Sequence, residues 1–283
     1  MEKDKFIGFV DILGWKEKMK AAEAGTGMTL AELKELQKDL GTASDRDRIR
    51  AGPEICPQST YIQRDLDFQL TQDTDCVIVS SEVSPAGVIN LVNYCWRTVI
   101  KLLKKGIMCR GDIIRGLIDY TNDKPTGPGF DEAIGKEHTV SAFKRNAEER
   151  GTPFVVVDPA VCAYVRNYGD SCVKEMFSSS VLEDPKKMTT LFPFKRLEHS
   201  FIIGDYYGHK FDREEERQSN ENVRSMIKTM KDHVMALVNR SIPDAMSKAE
   251  HYIAALDAQL DVCDKTDQFI KSLPSHFRSH WNP

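Results

Sequence analysis

A run of nearly uninterrupted apolar residues close to the N-terminus constrains the fold more than any other feature of the sequence. Residues 6–14 read Phe-Ile-Gly-Phe-Val-Asp-Ile-Leu-Gly, a short stretch that ends at a glycine. Such a run is typical of a strand that is covered on both faces. It contains one carboxylate, Asp11, and a carboxylate is costly to bury without a cation or hydrogen-bond donors. The sequence therefore predicts a buried strand with an acid of special role near its end.

Composition limits the classes of partner. The 283 residues are 41% hydrophobic and 29% charged, which is typical of a globular protein with one large domain, or one domain and an appendage. The net charge of −4 provides no overall positive field for nucleic acid or for an acidic membrane. We therefore expect neither as a partner. A small anionic substrate would have to be held by local cations or by metal ions.

The cysteines and the N-terminus predict a cytoplasmic protein. There are seven cysteines, an odd number, and no Cys-x-x-Cys pair. They are typical of reduced, mostly buried thiols, and not of a disulfide framework or a zinc site. The charged first residues run directly into the apolar stretch, so we expect no signal peptide, and no apolar run approaches the length of a membrane span.

The pattern along the chain predicts an alternation of strands and helices. Residues 29–40 form an amphipathic helix behind a threonine cap, and residues 41–60 form a mobile loop. The rest is predicted as follows: a hairpin of strands 68–71 and 76–80, a helix 86–105, a strand 107–118, a helix 130–149, a strand 154–157, a hairpin within 188–206, and two helices within 220–266 that are divided at Pro243.

This order is βαββαβ with additions, so the predicted fold class is α+β, with a ferredoxin-like core whose sheet carries helices. We place this domain at residues 1–210 and a C-terminal helical extension at residues 211–283. The fold alone decides no function, because it supports many.

Two aspartates could meet at one edge of that sheet. Asp75 follows Asp11 by 64 positions and lies at the tip of the predicted hairpin. In a βαββ unit the first strand and the hairpin are neighbours, and hard divalent cations prefer carboxylate and carbonyl oxygens. Each aspartate alone is also an ordinary turn residue. Asp73, two residues before Asp75, is a further candidate metal ligand. Its alternative role is that of an ordinary turn residue.

Four segments resemble, in the same order and at similar spacing, the motifs of class III nucleotidyl cyclases. Residues 9–15, Phe-Val-Asp-Ile-Leu-Gly-Trp, are similar to the family's opening strand, which ends in Asp-Ile-x-Gly and an aromatic residue. Residues 72–80 resemble its hairpin aspartate and the apolar strand that follows. Residues 110–116 resemble Arg-x-Gly-Ile-x-x-Gly, and residues 127–133 resemble the start of a helix with nucleotide contacts. The resemblance covers residues 5–160 and implies the palm-type cyclase core.

Within the family, the sequence is most similar to the pyrimidine cyclases of bacterial anti-phage (Pycsar) systems. Adenylyl and guanylyl cyclases carry a base-reading lysine or glutamate four residues before the second metal aspartate, whereas this chain has Thr71, which is too short to reach a purine edge. Asp131 matches the asparagine that contacts the ribose. The family's transition-state arginine falls at Gly135, beside Lys136. This departure leaves open which cation binds the phosphates.

The resemblance implies a reaction and a site. The ribose 3′-hydroxyl attacks the α-phosphorus and diphosphate leaves. Asp11 and Asp75, with the Ile12 carbonyl as a third ligand, would hold two Mn²⁺ or Mg²⁺ ions. Arg110, which we also count as catalytic, Arg115 and Lys136 are the candidate phosphate contacts. For the arginines, surface ion pairs are the alternative.

The resemblance also implies partners. Sites between two protomers indicate a homodimer, and the substrate would be UTP, or alternatively CTP. The cyclic nucleotide would activate a separate effector in anti-phage defence. Three rival interpretations remain open: a purine cyclase, a GGDEF-type or polymerase-like palm, and an inactive nucleotide-binding relative. The second lacks the Gly-Gly-Asp/Glu-Glu-Phe signature, and the last is favoured by the missing arginine at position 135.

Overall fold

The first strand lies inside a mixed sheet of eight strands, counted over the residues that the structure describes. The computed structural model describes residues 2–52, 59–61, 64–121, 124–136, 140–145, 149, 151–194 and 211–274. The strands are β1 (Lys3–Ile12), β2 (Gln69–Asp73), β3 (Cys76–Glu82), β4 (Cys109–Thr121), β5 (Lys124–Thr126), β6 (Val155–Val157), β7 (Val181–Glu183) and β8 (Thr189–Leu191). Their order is β2-β3-β1-β4-β6-β8-β7, and β5 pairs with β4.

The helices pack on this sheet and confirm the predicted α+β class. In chain order they are α1 (Trp15–Glu23), α2 (Leu30–Leu40), α3 (Ala43–Ala51), α4 (Pro85–Leu103), α5 (Pro128–Lys136), α6 (Pro159–Tyr168), α7 (Ser171–Ser180), α8 (Arg213–Leu237) and α9 (Pro243–Ser272). No helix in the described residues combines the length and the hydrophobicity that a membrane crossing requires.

The sheet has two differently covered faces, because side chains alternate along each strand. On one face, which we call the α4 face, Val10 and Ile113 join a large apolar cluster with Leu91 of α4. On the other, the α5 face, Phe9 and Ile114 belong to a smaller cluster with Ala133 of α5. The strands β2, β3, β1 and β4 are antiparallel to their neighbours, whereas β6 is parallel to β4. Register partners on adjacent strands therefore share a face.

The best-patterned elements are confirmed. Helix α2 begins after the predicted cap, Thr29, whose hydroxyl accepts from the backbone of Glu32 in a capping box. Helix α4 begins at Pro85, behind the cap Ser84, and is buried over most of its surface. The hairpin of β2 and β3 is also confirmed, as are the strands at residues 107–118 and 154–157.

Several short helices were not predicted. Helix α3 occupies part of the segment that we expected to be a loop, so that prediction is wrong for residues 43–51. Thr42 and Asp45 form a second capping box at its start, but Ile49 is its one buried residue, so no apolar period reveals the helix. Residues 53–58 lie outside the described residues. Helices α1, α6 and α7 had no predicted counterpart.

Two predicted elements differ in extent. Helix α5 ends at Lys136, and residues 140–145 are described without helix, so the helix predicted for 130–149 is too long. Strand β8 pairs with β7, which precedes the predicted hairpin segment. The remainder of that prediction, residues 195–206, lies outside the described residues.

The C-terminal helices share a core with the sheet. Pro243 begins α9, as expected from a residue that fits the first helical turn. Ile227 of α8 and Tyr252 of α9 belong to one apolar cluster with Ile100 of α4 and Phe154 beside β6. The ring of Tyr252 stacks on Phe154, with centroids 5.4 Å apart. The extension is therefore packed on the same elements that support the candidate site.

Candidate functional site

The end of β1 and the tip of the β2–β3 hairpin bring Asp11 and Asp75 together. The backbone N–H of Ile12 donates to the carbonyl oxygen of Asp75 at 2.9 Å. Asp11 is the register partner of Cys76, the residue directly after Asp75. The two aspartates, far apart in sequence, therefore lie at one edge of the sheet.

A two-residue turn presents Asp75 at this edge. Asp73 pairs with Cys76, so Thr74 and Asp75 form the connection, and Thr74 adopts a positive φ of 39°. The side-chain amide of Gln37 on α2 donates to the Thr74 carbonyl at 2.8 Å. Helix α2 thus helps to fix the hairpin tip, which supports the position of Asp75.

Asp11 belongs to a row of register partners that crosses four strands. The row runs from Asp73 on β2 through Cys76 on β3 and Asp11 on β1 to Arg110 on β4, and we call it the carboxylate row. Asp11 lies two positions after Phe9 and so shares its face, which means that the row faces α5. Asp73 shares this face, two strands and roughly 10 Å from Asp11.

Arg110 is the immediate partner of Asp11. Its Nε donates to Asp11 Oδ2 at 3.2 Å, and Asp11 is only 8% exposed. The close approach of β1 and β4 depends on Gly111, where φ is +157° and a Cβ atom would lie 1.8 Å from the Phe9 carbonyl oxygen. The arginine therefore supplies part of the compensation that a buried carboxylate requires.

The charge of Asp75 is less well compensated. Partial burial raises its pKa, and the nearby charge of Asp73 raises it further. A hydrogen bond from its own backbone and the charges of Lys16 and Arg110 oppose these effects, but the pKa stays above its ordinary value. An ionised Asp75 is thus destabilised in this environment, and a cation bound there would relieve the cost.

Helix α1 starts at the same edge and adds a positive end. Gly14 adopts the left-handed conformation with φ 71°, which lets the helix begin directly after β1, and no side chain caps its first turn. Helix N-termini attract anions through their amide groups and dipole. Lys16 lies in this turn, and its positive charge lowers the pKa of Asp75. Our predicted set did not include Lys16, although its place just after the Asp-Ile-Leu-Gly stretch could have indicated it.

The donors at this edge fit a hard divalent cation. Asp11 and Asp75 offer carboxylate oxygens and Ile12 offers a carbonyl oxygen, the ligand types that Mg²⁺ and Mn²⁺ prefer. Within the described ranges, no group of three or more His, Cys, Asp or Glu residues is arranged to hold a metal ion. A cation here would therefore depend on two side chains, the carbonyl oxygen, and oxygens from substrate or water.

Arg115 does not lie at this edge, which corrects our expectation. It follows Arg110 by five positions, and an odd separation in a strand reverses the face. Its Nη2 pairs with Asp4 Oδ2 at 2.6 Å, and its guanidinium lies 6.0 Å from the ring of Tyr164 on α6. Arg115 is thus on the α4 face, toward the opposite end of β1 from Asp11, and in one protomer it cannot reach a phosphate held there.

The remaining predicted residues lie on or above the α5 face. Thr71 is the register partner of Ile78 and so shares the face of Asp11, one row away. Asp131 is exposed in the first turn of α5.

Lys136 ends α5 in an ion-pair cluster. Its Nζ lies 2.6 Å from Glu132 Oε1 and 3.0 Å from Asp158 Oδ2. Burial alone would lower the pKa of Lys136, but these hydrogen bonds and the charges of Asp158 and Asp112 outweigh it and raise the pKa. A phosphate contact would therefore compete with existing carboxylate partners.

Sequence comparison adds no assignment to this geometry. No protein-family model matches the chain, and a search of curated proteins finds no match.

Proposed function

We propose that the protein is a nucleotidyl cyclase of the class III kind, which converts UTP to 3′,5′-cyclic UMP and diphosphate. The backbone hydrogen bond from Ile12 to Asp75 carries this proposal, because it holds the chain directly after Asp11 against the other predicted metal ligand, Asp75. The strand order β2-β3-β1-β4, with every neighbour antiparallel, also agrees with a palm-type ferredoxin-like core. The resemblance of four motifs in the same order is the remaining support.

The chain's own residues would hold and orient the triphosphate. Two Mg²⁺ or Mn²⁺ ions held by Asp11, Asp75 and the Ile12 carbonyl would lower the pKa of the 3′-hydroxyl and neutralise phosphate charge. The start of α1, with Lys16, offers amide donors and a positive charge to the phosphates. Arg110 keeps Asp11 in place and lies at the same edge. The 3′-hydroxyl would lose its proton to solvent and its oxygen would bond to the α-phosphorus, while the bond from the α-phosphorus to the bridging oxygen breaks and diphosphate leaves.

The pyrimidine preference rests on Thr71. In purine cyclases a long side chain at this position reads the base, whereas threonine leaves this region of the face without such a group. We extend the proposal to a homodimer with sites at its interface, and to a defence role in which the cyclic nucleotide acts on a separate effector. CTP is the alternative substrate.

Product analysis with each of the four nucleoside triphosphates and Mn²⁺ tests the reaction and its base preference. We expect cyclic UMP as the main product from UTP. Asp75→Ala should lower the rate by at least about 10³-fold, because the protein contributes mainly positioning and charge neutralisation. Asp261→Ala removes an exposed carboxylate on α9 and serves as the matched control with unchanged rate. Cyclic AMP as the main product would refute the pyrimidine assignment.

A catalytically inactive nucleotide-binding module is the second candidate. It is favoured by Gly135, which stands where the family has its transition-state arginine, and by the carboxylate partners of Lys136. Binding of nucleoside triphosphate without any diphosphate release would support this candidate. Diphosphate release that is lost in Asp75→Ala would exclude it.

A further inference from the structure

Asp112 is a buried acid with an unsatisfied oxygen. The residue lies on β4 and is 5% exposed. Its Oδ1 is buried and has no hydrogen-bond partner within the residues that the structure describes. Buried side-chain oxygens nearly always have a partner, so an orphan of this kind indicates either a cost or a missing ligand. Asp112 also stands where the resembling cyclase motif has glycine, so the motif does not explain it.

The register places Asp112 next to the carboxylate row. Asp112 is the partner of Phe9, whereas Asp11 is the partner of Arg110. Asp11 and Asp112 therefore point to the same face as diagonal neighbours on adjacent strands, with a backbone separation of roughly 7–8 Å. A group bound at Asp11 would need to extend by only one row to reach Asp112.

The charges around Asp112 restrict what that group can be. The positive charge of Lys136 lowers the pKa of Asp112, and the negative charges of Asp158 and Glu132 raise it. Among the described residues, Asp112, Asp158 and Glu132 form no group that could hold a metal ion. A phosphate would be repelled by these three carboxylates. A hydroxyl group is a neutral donor and can satisfy the orphan oxygen without that repulsion.

We propose that Asp112 accepts a hydrogen bond from a ribose hydroxyl of the nucleoside triphosphate, an inference that rests on the proposed function. Within the substrate, the sugar lies beside the reacting α-phosphate, so a phosphate held at Asp11 would bring the sugar to the neighbouring row. Lys136 and Glu132, whose charges act on Asp112, are long side chains that are 34% and 50% exposed and form an i,i+4 pair. Glu132 can turn into solvent with the loss of this exposed pair alone, while Lys136 keeps its bond to Asp158, and this movement allows the sugar to approach.

Binding of analogues that cannot react isolates this contact. The probes are the α,β-methylene analogue of UTP and its 2′-deoxy and 3′-deoxy forms, measured by calorimetry with Mg²⁺. At pH 8, where the Asp112 carboxyl is ionised, the wild-type protein should bind the ribose form roughly tenfold to hundredfold more tightly than one of the deoxy forms, as expected for a hydrogen bond to a charged acceptor. Asp112→Ala should reduce that preference to less than about twofold, and Asp112→Asn, which keeps an acceptor oxygen, should retain some of it.

The matched control is Thr152→Val. Thr152 is also buried with an unsatisfied side-chain oxygen, and it precedes β6, outside the carboxylate row. This variant should keep the wild-type preference for ribose. If Asp112→Ala does not fold, an Asp112→Asn preference equal to that of the wild type overturns the inference.

The outcomes separate this inference from the function on which it rests. A wild-type protein that binds none of the three analogues refutes the proposed function. Tight binding with no preference for ribose, or with a preference that Asp112→Ala leaves intact, refutes the ribose contact alone. A merely structural role of Asp112 would weaken the binding of all three analogues equally.

Discussion

Replacing Asp112 with asparagine changes the pH dependence of folding stability in a way that the structure determines. Burial raises the pKa of Asp112 from 3.8 to about 7; the charge of Lys136 opposes this increase, and the charges of Asp158 and Glu132 add to it. Because the folded-state pKa is above the unfolded value, the folded protein retains the proton at pH values where the unfolded chain has lost it. Stability therefore falls as the pH rises from about 4 to about 7.

The distance between the two pKa values sets the size of the effect, about 4 kcal/mol once both states are ionised. Asparagine has nearly the same shape and no charge, so Asp112→Asn should lack this contribution. The cost of burying its amide is the same at every pH and cancels in the comparison. Relative to the wild type, we expect the variant to gain about 4 kcal/mol between pH 4 and pH 8.

Urea denaturation of both proteins at pH 4, 6 and 8 measures this gain. Asp261→Asn is the control, because it removes an exposed carboxylate on α9 and should follow the wild-type pH dependence. Equal pH dependence of the wild type and Asp112→Asn would refute the reasoning. It would show that the pKa of Asp112 is the same in the folded and the unfolded protein.

Four further predictions concern the same edge of the sheet. Arg110→Ala should lower the free energy of unfolding by roughly 1–3 kcal/mol in urea, because Asp11 loses its charged donor; an unchanged value would contradict this. Gly111→Ala should give no folded protein by circular dichroism, because its Cβ would overlap the neighbouring backbone. Gly135→Arg should fold, because a Cβ there meets nothing within 4 Å, and it should stabilise α5 by about 0.5–1 kcal/mol in thermal denaturation. Lys16→Ala should raise KM for the triphosphate by roughly tenfold with little change in kcat, whereas an unchanged KM would exclude a phosphate role.

The sequence predicted those elements whose apolar pattern is dense. Strands β1 and β3 and helix α4 have nearly every buried position occupied by an apolar residue, so their burial can be predicted from the sequence. Helix α3 has one buried residue, and its stability depends on a capping box and on tertiary contact. Such a helix has no period to detect, and its charged composition is the same as that of a loop. The short helices α6 and α7 have only a few buried positions each, which also gives little pattern.

The meeting of Asp11 and Asp75 could be predicted because it needs only the pairing of a hairpin with the first strand. The error at Arg115 shows what the motif alone does not contain. Arg115 and Arg110 are on the same strand, but this does not place them on the same face. Arg115 follows Arg110 by five positions, so its side chain points to the other face. By the same rule, Asp112, which follows Arg110 by two positions, lies on the face of Arg110. The acid in the stretch Arg-Gly-Asp-Ile-Ile could therefore have indicated a residue beside the site.

The pairing of the candidate cations constrains how a triphosphate could be held. Arg110 is bonded to Asp11, Lys136 to Glu132 and Asp158, and Arg115 to Asp4 on the other face. None of these three can turn to phosphate without leaving a carboxylate, and a carboxylate that loses its partner in a buried site costs more than an exposed one. The phosphate charge would therefore fall mainly to divalent ions at Asp11 and Asp75 and to the start of α1. The proposed reaction would therefore depend on the two aspartates more strongly than on any arginine, and glycine at position 135 is compatible with it.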